Sequence, residues 1–463
     1  MSGFSSKNRF VIVIVWGYLT LFLARNSFCL EHLQTKTNPK LLFWSVLRFR
    51  YEYQNNFNIK SYGDDPGVGE KDDGFLTGRL RAGFRYIPFK NLLLSLGIQH
   101  SVVWDLALED EDFYNKKFRR QHNPYEDKWE PFETYIELRD ISSHVNIKAG
   151  RQLIYYGDKR IFGPGTWGNS GKWIWDAVKT SYRFRQGFVD VFYGRTIIHD
   201  PDVLSIKHRH GFESFGMYSH FTISASNFSV NFEPFAMTKR DDHNHYKSED
   251  GVYGDLDTYY IGGRFFVKDF YGFDFDMTYV RQKGDYSTDD IDSYGYHILF
   301  GYHLKDLFSK PFISAEYSFA SGDSDPTDGK HETFDGAFGA RDKMYGRMNL
   351  FKWSNLKDAQ LNFEFTPHKK VYVKAEFHKF WLAEKRDAWY LNPRVYRDKT
   401  GRSGDEVGRE FDLVIKVDLP YKNQIQMGYG HFWPDEFAKK LASDTQADWV
   451  FIQWRIKFSK GIL

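Results

Sequence analysis

The chain has 463 residues, of which 41% are hydrophobic and 27% are charged, and its mean hydropathy is −0.57. Beyond the apolar run at the N-terminus, no segment approaches the roughly 20 consecutive apolar residues of a membrane-spanning helix, which excludes a helical membrane protein. The formal net charge of +2 and the single cysteine also argue against a nucleic-acid-binding protein and a disulfide-stabilised one.

The N-terminal residues have the pattern of an export signal. Lys7 and Arg9 precede an apolar run from Phe10 to Leu23, which is too short for a membrane anchor. We therefore expect residues 1–29 to form a signal peptide, with cleavage between Ala24 and Cys29. Its removal takes away three basic residues and leaves 60 Lys and Arg against 61 Asp and Glu.

Charged and aromatic residues alternate with a period of two along most of the remaining chain. The segment Arg48–Tyr53 reads RFRYEY, and Trp449–Phe458 near the C-terminus repeats the pattern. Because successive side chains of a strand point to opposite faces, each such segment has one charged and one apolar face. Aromatic residues make up 19% of the chain, and Tyr and Trp suit a membrane interface. The pattern predicts a closed antiparallel transmembrane β-barrel with lipid outside and water inside.

Turn-forming residues divide residues 43–458 into about 18 strands in a single domain, with connections that alternate between short and long. The short turns, such as Pro88–Lys90 and Pro420–Asn423, contain the residues that a hairpin requires. Short periplasmic turns and long extracellular loops are typical of outer-membrane barrels. The predicted long loops are 55–74, 106–131, 155–172, 198–212, 239–255, 284–290, 322–356, 384–405 and 434–446.

The charged face of the strands predicts which cations line the lumen. Rings of Arg or Lys select anions in pores, and an arginine fork binds a carboxylate with two parallel hydrogen bonds. The cations with inward parity are Arg48, Arg50, Arg79, Arg81, Arg85, Arg139, Lys148, Arg264, Lys374, Lys416 and Arg455. The alternative is that these side chains pair with lumenal carboxylates, such as Glu52 and Asp276, and only make the wall rigid.

Arg151 does not fit this parity. It shares a face with Val145, Ile147 and Ala149 and would therefore point towards lipid. Either a β-bulge near Gly150 turns it inward, or the strand has already left the membrane at this position.

Several short motifs carry a resemblance to a known family. They lie in residues 149–160 and 167–176, which include Arg151, Asp158, Arg160 and Lys172, and they continue through Asp323 and Arg409. In this order, over residues 43–458, the sequence resembles the alginate-export family of outer-membrane channels. Lys172 stands where that family usually has arginine. The resemblance implies a monomeric 18-stranded barrel whose arginine-lined lumen passes an anionic polyuronate outward, with a long loop, here 322–356, partly occluding the pore.

The pattern and the resemblance together predict a passive outer-membrane channel, not an enzyme, that exports an anionic polysaccharide or oligosaccharide. A selective uptake porin for small carboxylates or sugars is the alternative, because the same lumen serves both. The expected partners are the saccharide, the lipid and lipopolysaccharide of the outer membrane, and a periplasmic secretion partner. No cofactor is expected. Calcium in the acidic loop Asp323–Gly329 is an alternative, although its glycine falls one place late and Phe334 stands where glutamate is needed.

Overall fold

The structure is a computed structural model. It describes residues 40–58, 61–63, 71–115, 120–121, 123–141, 144–165, 167–171, 173–198, 201, 209–225, 228–391 and 394–462. The predicted signal peptide, its cleavage region and Lys172 lie outside the described residues, so they stay predictions.

The described residues form a closed antiparallel barrel of 18 strands, as the alternation predicted. Closure follows from β1, in which Arg48 lies opposite Arg79 of β2 on one side and opposite Arg455 of β18 on the other. The strands are β1 Leu41–Asn55, β2 Asp73–Phe89, β3 Leu92–Trp104, β4 Asp127–Pro131 with Tyr135–Ile141, β5 Val145–Leu153, β6 Ile174–Phe184, β7 Gly187–Ile198, β8 Arg209–Ser224, β9 Ser229–Lys247, β10 Tyr253–Phe270, β11 Phe273–Tyr286, β12 Asp289–His303, β13 Phe312–Ala320, β14 Leu356–His368, β15 Val371–Trp381, β16 Glu406–Leu419, β17 Asn423–Pro434 and β18 Ala447–Gly461.

Short elements occupy the connections. They are the strand pairs Phe57–Asn58 with Ser61–Tyr62, Tyr114–Asn115 with Arg120–Gln121 and Ala388–Tyr390 with Val395–Arg397, the strand Lys330–His331, the 3-10 helix Asp110–Phe113 and the α-helix α1 Glu436–Leu441. Among the described residues, no helix has the length and apolar character needed to cross a bilayer.

Side chains divide between the two faces of the barrel as the alternation requires. On β1, Arg48, Arg50 and Glu52 are buried inside, whereas Tyr51 and Tyr53 are 45% and 40% exposed on the outside. An exposed aromatic face would be unfavourable in water, but it is stable against hydrocarbon. The apolar exterior therefore confirms the transmembrane barrel.

Two predicted long loops are wrong, because the strands extend through them. The predicted loop 284–290 is a two-residue connection between Tyr286 and Asp289, in which Ser287 has a φ of +58°. The predicted loop 239–255 is mostly strand, since β9 continues to Lys247 and β10 begins at Tyr253. In both places the strands carry polar residues on both faces, so the period-two pattern that marked strands elsewhere disappears.

A row of charged residues crosses the outer face of β5 to β10. Each member lies directly opposite the next: Arg151, Asp176, Arg195, Glu213, Arg240 and Asp257. Neighbours in the row form ion pairs, including Arg195 Nη2 to Glu213 Oε2 at 2.7 Å. Because an Arg or Lys facing lipid at the bilayer midplane costs about 2–4 kcal/mol, we place this row outside the hydrocarbon region.

The same row explains Arg151. β5 and β6 pair without a register shift from Val145 to Leu153, so no bulge at Gly150 turns Arg151 inward. Its guanidinium donates to both carboxylate oxygens of Asp176, at 3.0 and 3.1 Å, on the side where Val178 is exposed. The position of Arg151 favours the second alternative, a strand that has left the membrane.

Two long connections fold into the barrel. We name them L3, residues 154–173 between β5 and β6, and L7, residues 321–355 between β13 and β14. Within the lumen they bond to each other: the Gly163 amide donates to the Phe338 carbonyl at 3.0 Å, and the Ala340 amide donates to the Lys159 carbonyl at 2.9 Å. Phe338 packs against Trp175, which points inward from β6. L3 and L7 therefore share an apolar cluster with the inner wall.

Candidate functional site in the lumen

Three predicted arginines hold L3 against the wall. Arg48 Nη2 donates to Asn169 Oδ1 at 2.9 Å, and Arg50 Nη1 donates to the Trp167 carbonyl at 2.8 Å. Arg79 Nη1 donates to the carbonyls of Gly168 and Asn169, both at 3.3 Å. Arg48 and Arg50 are only 3% and 0% exposed. With L3 in this position, these two arginines cannot contact a passing solute, and the alternative of a structural role describes them better.

Arg79 and Arg81 face a cavity of about 210 Å³ between β2 and L3, which we name the arginine cavity. Arg81 Nε donates to Gln99 Oε1 at 2.6 Å, and its guanidinium lies 4.1 Å from the centre of the Phe132 ring. Lys159 of L3 is the third cation among the described residues of this lining, and none of those residues is a carboxylate.

A larger cavity of about 330 Å³ lies between L7 and the wall, and we name it the L7 cavity. Its cations are Arg160, Lys239, Arg341 and Lys352, and its aromatic residues are Trp173, Phe212, Tyr345 and Trp353. The one carboxylate in this lining, Asp335, forms an ion pair with Lys239. Gly171 borders both cavities, which places them side by side along L3.

Most cations of the two cavities are not neutralised. Arg160 pairs with Asp158 at 3.2 Å, and Lys239 pairs with Asp335. Within the described part of the chain, no carboxylate lies within 4 Å of the charged groups of the other five. Those five are Arg79, Arg81, Lys159, Arg341 and Lys352.

Arg160 and Asp158 fix the inner end of L3. The Arg160 amide and Nε both donate to the Asp158 carboxylate, at 2.9 and 3.2 Å. Although burial acts to raise it, the Arg160 guanidinium holds the pKa of Asp158 below its ordinary value. The guanidinium of Arg160 also lies 5.4 Å from the ring centre of Tyr345 in L7. These two residues of the family motif therefore join L3 to L7.

The remaining predicted lumen cations divide into two groups. Four of them pair with carboxylates: Arg85 with Glu133, Arg139 with Glu137, Arg264 with Glu233 and Asp276, and Lys374 with Glu364 and Glu376. Three have uncharged contacts: Lys148 lies 4.0 Å from the Tyr135 ring centre, Lys416 lies 4.7 Å from that of Tyr372, and Arg455 donates to Gln424 at 2.7 Å.

Two residues of the family motif lie away from both cavities. Arg409 is exposed on the outer face, where its guanidinium pairs with Asp435 at 3.1 Å. Asp323 is buried at the base of L7.

Parity alone missed five cations of the cavities, of which Arg160 was named only through the family resemblance. Lys159, Arg341 and Lys352 lie in loops, where no period indicates direction. Lys239 lies on β9 and shares its face with Phe235 and Met237, two apolar residues that point inward. That face is apolar because L3 and L7 cover it. The charged cluster Arg341-Asp342-Lys343, in a loop predicted to occlude the pore, was the sequence feature that pointed to lumenal cations outside the strands.

Lys352 makes the charge of the L7 cavity depend on pH. Burial, together with Arg341 and Lys239, lowers the pKa of Lys352 to about 8. A lysine with a lowered pKa is charged below that value, so we expect anion selectivity to fall as the pH rises through about 8. Reversal potentials in a KCl gradient measure this change. Lys352→Arg should remove the pH dependence, and an unchanged profile in that variant would contradict the assignment.

The comparisons with known proteins agree with this geometry. A family model described as alginate export matches residues 43–451. Solved structures of porins share the fold: OccAB1 and OccAB2 of Acinetobacter baumannii superpose with TM-scores of 0.58 and 0.57 at 9% and 10% identity. They cover 92% and 90% of this chain, and 99% and 98% of their own chains. OpdK of Pseudomonas aeruginosa, solved with vanillate, gives 0.57 at 10% identity, covering 91% of this chain and 99% of its own.

No curated protein matches the sequence. Identities near 10% show a shared fold only, whereas the family model spans most of the chain. The chain therefore belongs to the alginate export family and is a β-barrel channel of the outer membrane.

Proposed function

We propose that this channel passes an anionic polysaccharide or oligosaccharide, an alginate-like polyuronate, outward past L3 and L7. The observation that carries the proposal is the lining of the two cavities. Among the described residues, three cations line the arginine cavity and four line the L7 cavity, against the single carboxylate of Asp335. Such an excess of fixed cations favours anions in a confined lumen.

The chemistry of the L7 cavity suits a sugar acid. Arg341 and Lys352 supply charge for carboxylates, and the aromatic rings of Trp173 and Trp353 supply apolar faces for a pyranose. The cavity volume of about 330 Å³ is small, so a polymer passes as an extended chain, with few residues at a time beside L7. The outward direction rests on the family.

The proposed transport is passive and involves no catalysis and no cofactor. The barrel closes through β1 and β18 of the same chain, so one chain forms a complete pore, which agrees with a monomer. A periplasmic partner that delivers the saccharide belongs to the same proposal. The lipid of the outer membrane contacts the exposed apolar side chains on the outside of the barrel. On β5 to β10 the charged row lies outside that hydrocarbon region.

Single-channel recording in planar bilayers tests this function. We expect polyuronate oligomers to block the current and a neutral glucan of equal length not to do so. Arg341→Gln/Lys352→Gln should weaken the block about tenfold or more per cation, because a hydrogen bond to a charged group contributes about 1.5–3 kcal/mol. Arg341 suits this test because the described residues show no hydrogen-bond partner for its side chain.

The matched control is Arg195→Gln/Arg240→Gln. It removes the same charge, but from the row on the outer face, where both side chains are about half exposed. This variant should keep the block of the original protein. Equal block by polyuronate and glucan would refute the proposal. Block by small carboxylates alone, with no effect of the polymer, would favour the uptake porin.

A further inference from the structure

The acidic base of L7 meets the connection between β9 and β10. The Gly329 amide donates to Glu249 Oε2 at 2.7 Å, and the Glu249 amide donates to Asp289 Oδ2 at 2.8 Å. The short strand Lys330–His331 pairs alongside β12 at Asp290 and Ile291. Glu249 therefore lies where L7, β12 and the β9–β10 connection come together.

Two carboxylate oxygens in this contact have no hydrogen-bond donor among the described residues. They are Asp323 Oδ1 and Glu249 Oε1, and both atoms are buried. The Asp323 side chain belongs to a residue that is only 7% exposed, and the two carboxyl groups lie close enough to share a proton. Two ionised carboxylates this close repel each other unless a cation or a proton lies between them.

The neighbouring charges do not neutralise this pair. Arg397 acts on Asp323 electrostatically, but its guanidinium bonds Asp387 at 2.9 Å, and Lys330 pairs with Asp328 at 3.4 Å. Among the described residues, no Lys, Arg or His forms an ion pair within 4 Å with either of these two carboxylates.

We propose that Asp323 and Glu249 bind a divalent cation, with calcium as the preferred ion. Calcium takes six to eight oxygen ligands in flexible geometry, so two carboxylates with water and main-chain carbonyls suit it. Magnesium demands nearly ideal octahedral geometry, which two carboxylates from separate loops do not provide. The ligands come from two loops, so this site differs from a calcium loop within 323–329.

The bound ion would fasten the base of L7 to the barrel rim. Asp323 follows β13 directly, and Glu249 lies in the connection after β9, so a shared ion links segments 74 residues apart. L7 enters the lumen from this base. Calcium in the external medium would thus stabilise the inserted position of L7.

Calcium titration by calorimetry tests the site on the whole protein in detergent after chelator treatment. At pH 8, we expect one saturable site with a Kd of about 0.1–1 mM, the range of extracellular calcium modules. Magnesium should bind at least tenfold more weakly. Absence of calcium binding would overturn the proposal and leave a shared proton as the explanation.

Three variants locate the ion. Asp323→Asn and Glu249→Gln should each weaken calcium binding at least tenfold. Asp325→Asn, an exposed acid of the same loop, should leave it unchanged. Loss of binding in Asp325→Asn with retention in Glu249→Gln would overturn the proposal in favour of a site within the loop.

Limited proteolysis of the unaltered protein tests the same site without any substitution. Lys330 is an exposed trypsin target beside the proposed site. Calcium should slow cleavage after Lys330, and magnesium at the same concentration should not. An equal cleavage rate with and without calcium would contradict the proposed link between L7 and the rim.

Discussion

Removal of residues 323–354 of L7, with a short Gly-Asn turn in their place, is expected to raise single-channel conductance several-fold. Ala320 and Leu356 lie opposite each other in the β13–β14 pair, so a short turn can join the strands. The excised segment fills much of the lumen with buried side chains, including Phe334, Phe338 and Trp353. A barrel of 16–18 strands without such a segment encloses an aqueous channel.

The control for this excision removes only residues 325–328, which lie in the acidic base of L7 and are mostly exposed. This smaller deletion leaves the lumenal part of L7 in place and should leave conductance close to that of the original protein. Unchanged conductance after the full excision would show that L3 alone closes the lumen.

Arg347→Met is expected to destabilise the protein by about 3 kcal/mol, since a buried ion pair that loses one partner leaves an uncompensated charge. The Arg347 guanidinium donates to Glu376, which is buried on β15. Lys374 remains 2.9 Å from Glu376, which holds the cost near the lower end of the range for such losses. Urea unfolding in lipid vesicles, followed by tryptophan fluorescence, measures the change.

Arg347 also fixes the position of L7. Its amide donates to Asp412 Oδ2 at 3.0 Å, and the next amide, of Met348, donates to Glu410 Oε1 at 2.9 Å. Loss of the guanidinium contact should therefore increase current noise as well as lower stability. Arg347→Met/Glu376→Gln should recover part of the stability, because it removes a buried charge that has lost its guanidinium partner and keeps only Lys374 as an ion-pair partner among the described residues. A double variant no more stable than the single one would show that packing of the arginine stem, and not charge, supports L7.

The barrel could be predicted from the sequence because the alternation of polar and apolar residues within each strand indicates which side chains face the lumen and which face lipid. Arg48, Arg50 and Glu52 lie inside and Tyr51 and Tyr53 outside, as their parity requires. The predicted loop bounds and the predicted lumen cations were wrong or incomplete where polarity no longer distinguishes the two faces of a strand. The ends of β9 and β10 are polar on both faces beyond the membrane. Part of the inner face of β9 is apolar because L3 and L7 cover it.

The candidate site was only partly predictable. Arg79 and Arg81 were identified by parity, and both line the arginine cavity. Arg48 and Arg50 have the same parity but are buried beneath L3, and no feature of β1 distinguishes them from the other two. Arg341 and Lys352 were missed, because a loop has no periodicity from which a side-chain direction can be inferred.

The sequence by itself determined the barrel and the sorting of charge to its lumen, because the two-residue period of a strand depends only on local backbone geometry. The tertiary structure alone decided which cations line the cavities. That choice depends on L3 and L7, whose positions are set by contacts between residues far apart in the chain, such as Arg48 with Asn169 and Lys239 with Asp335.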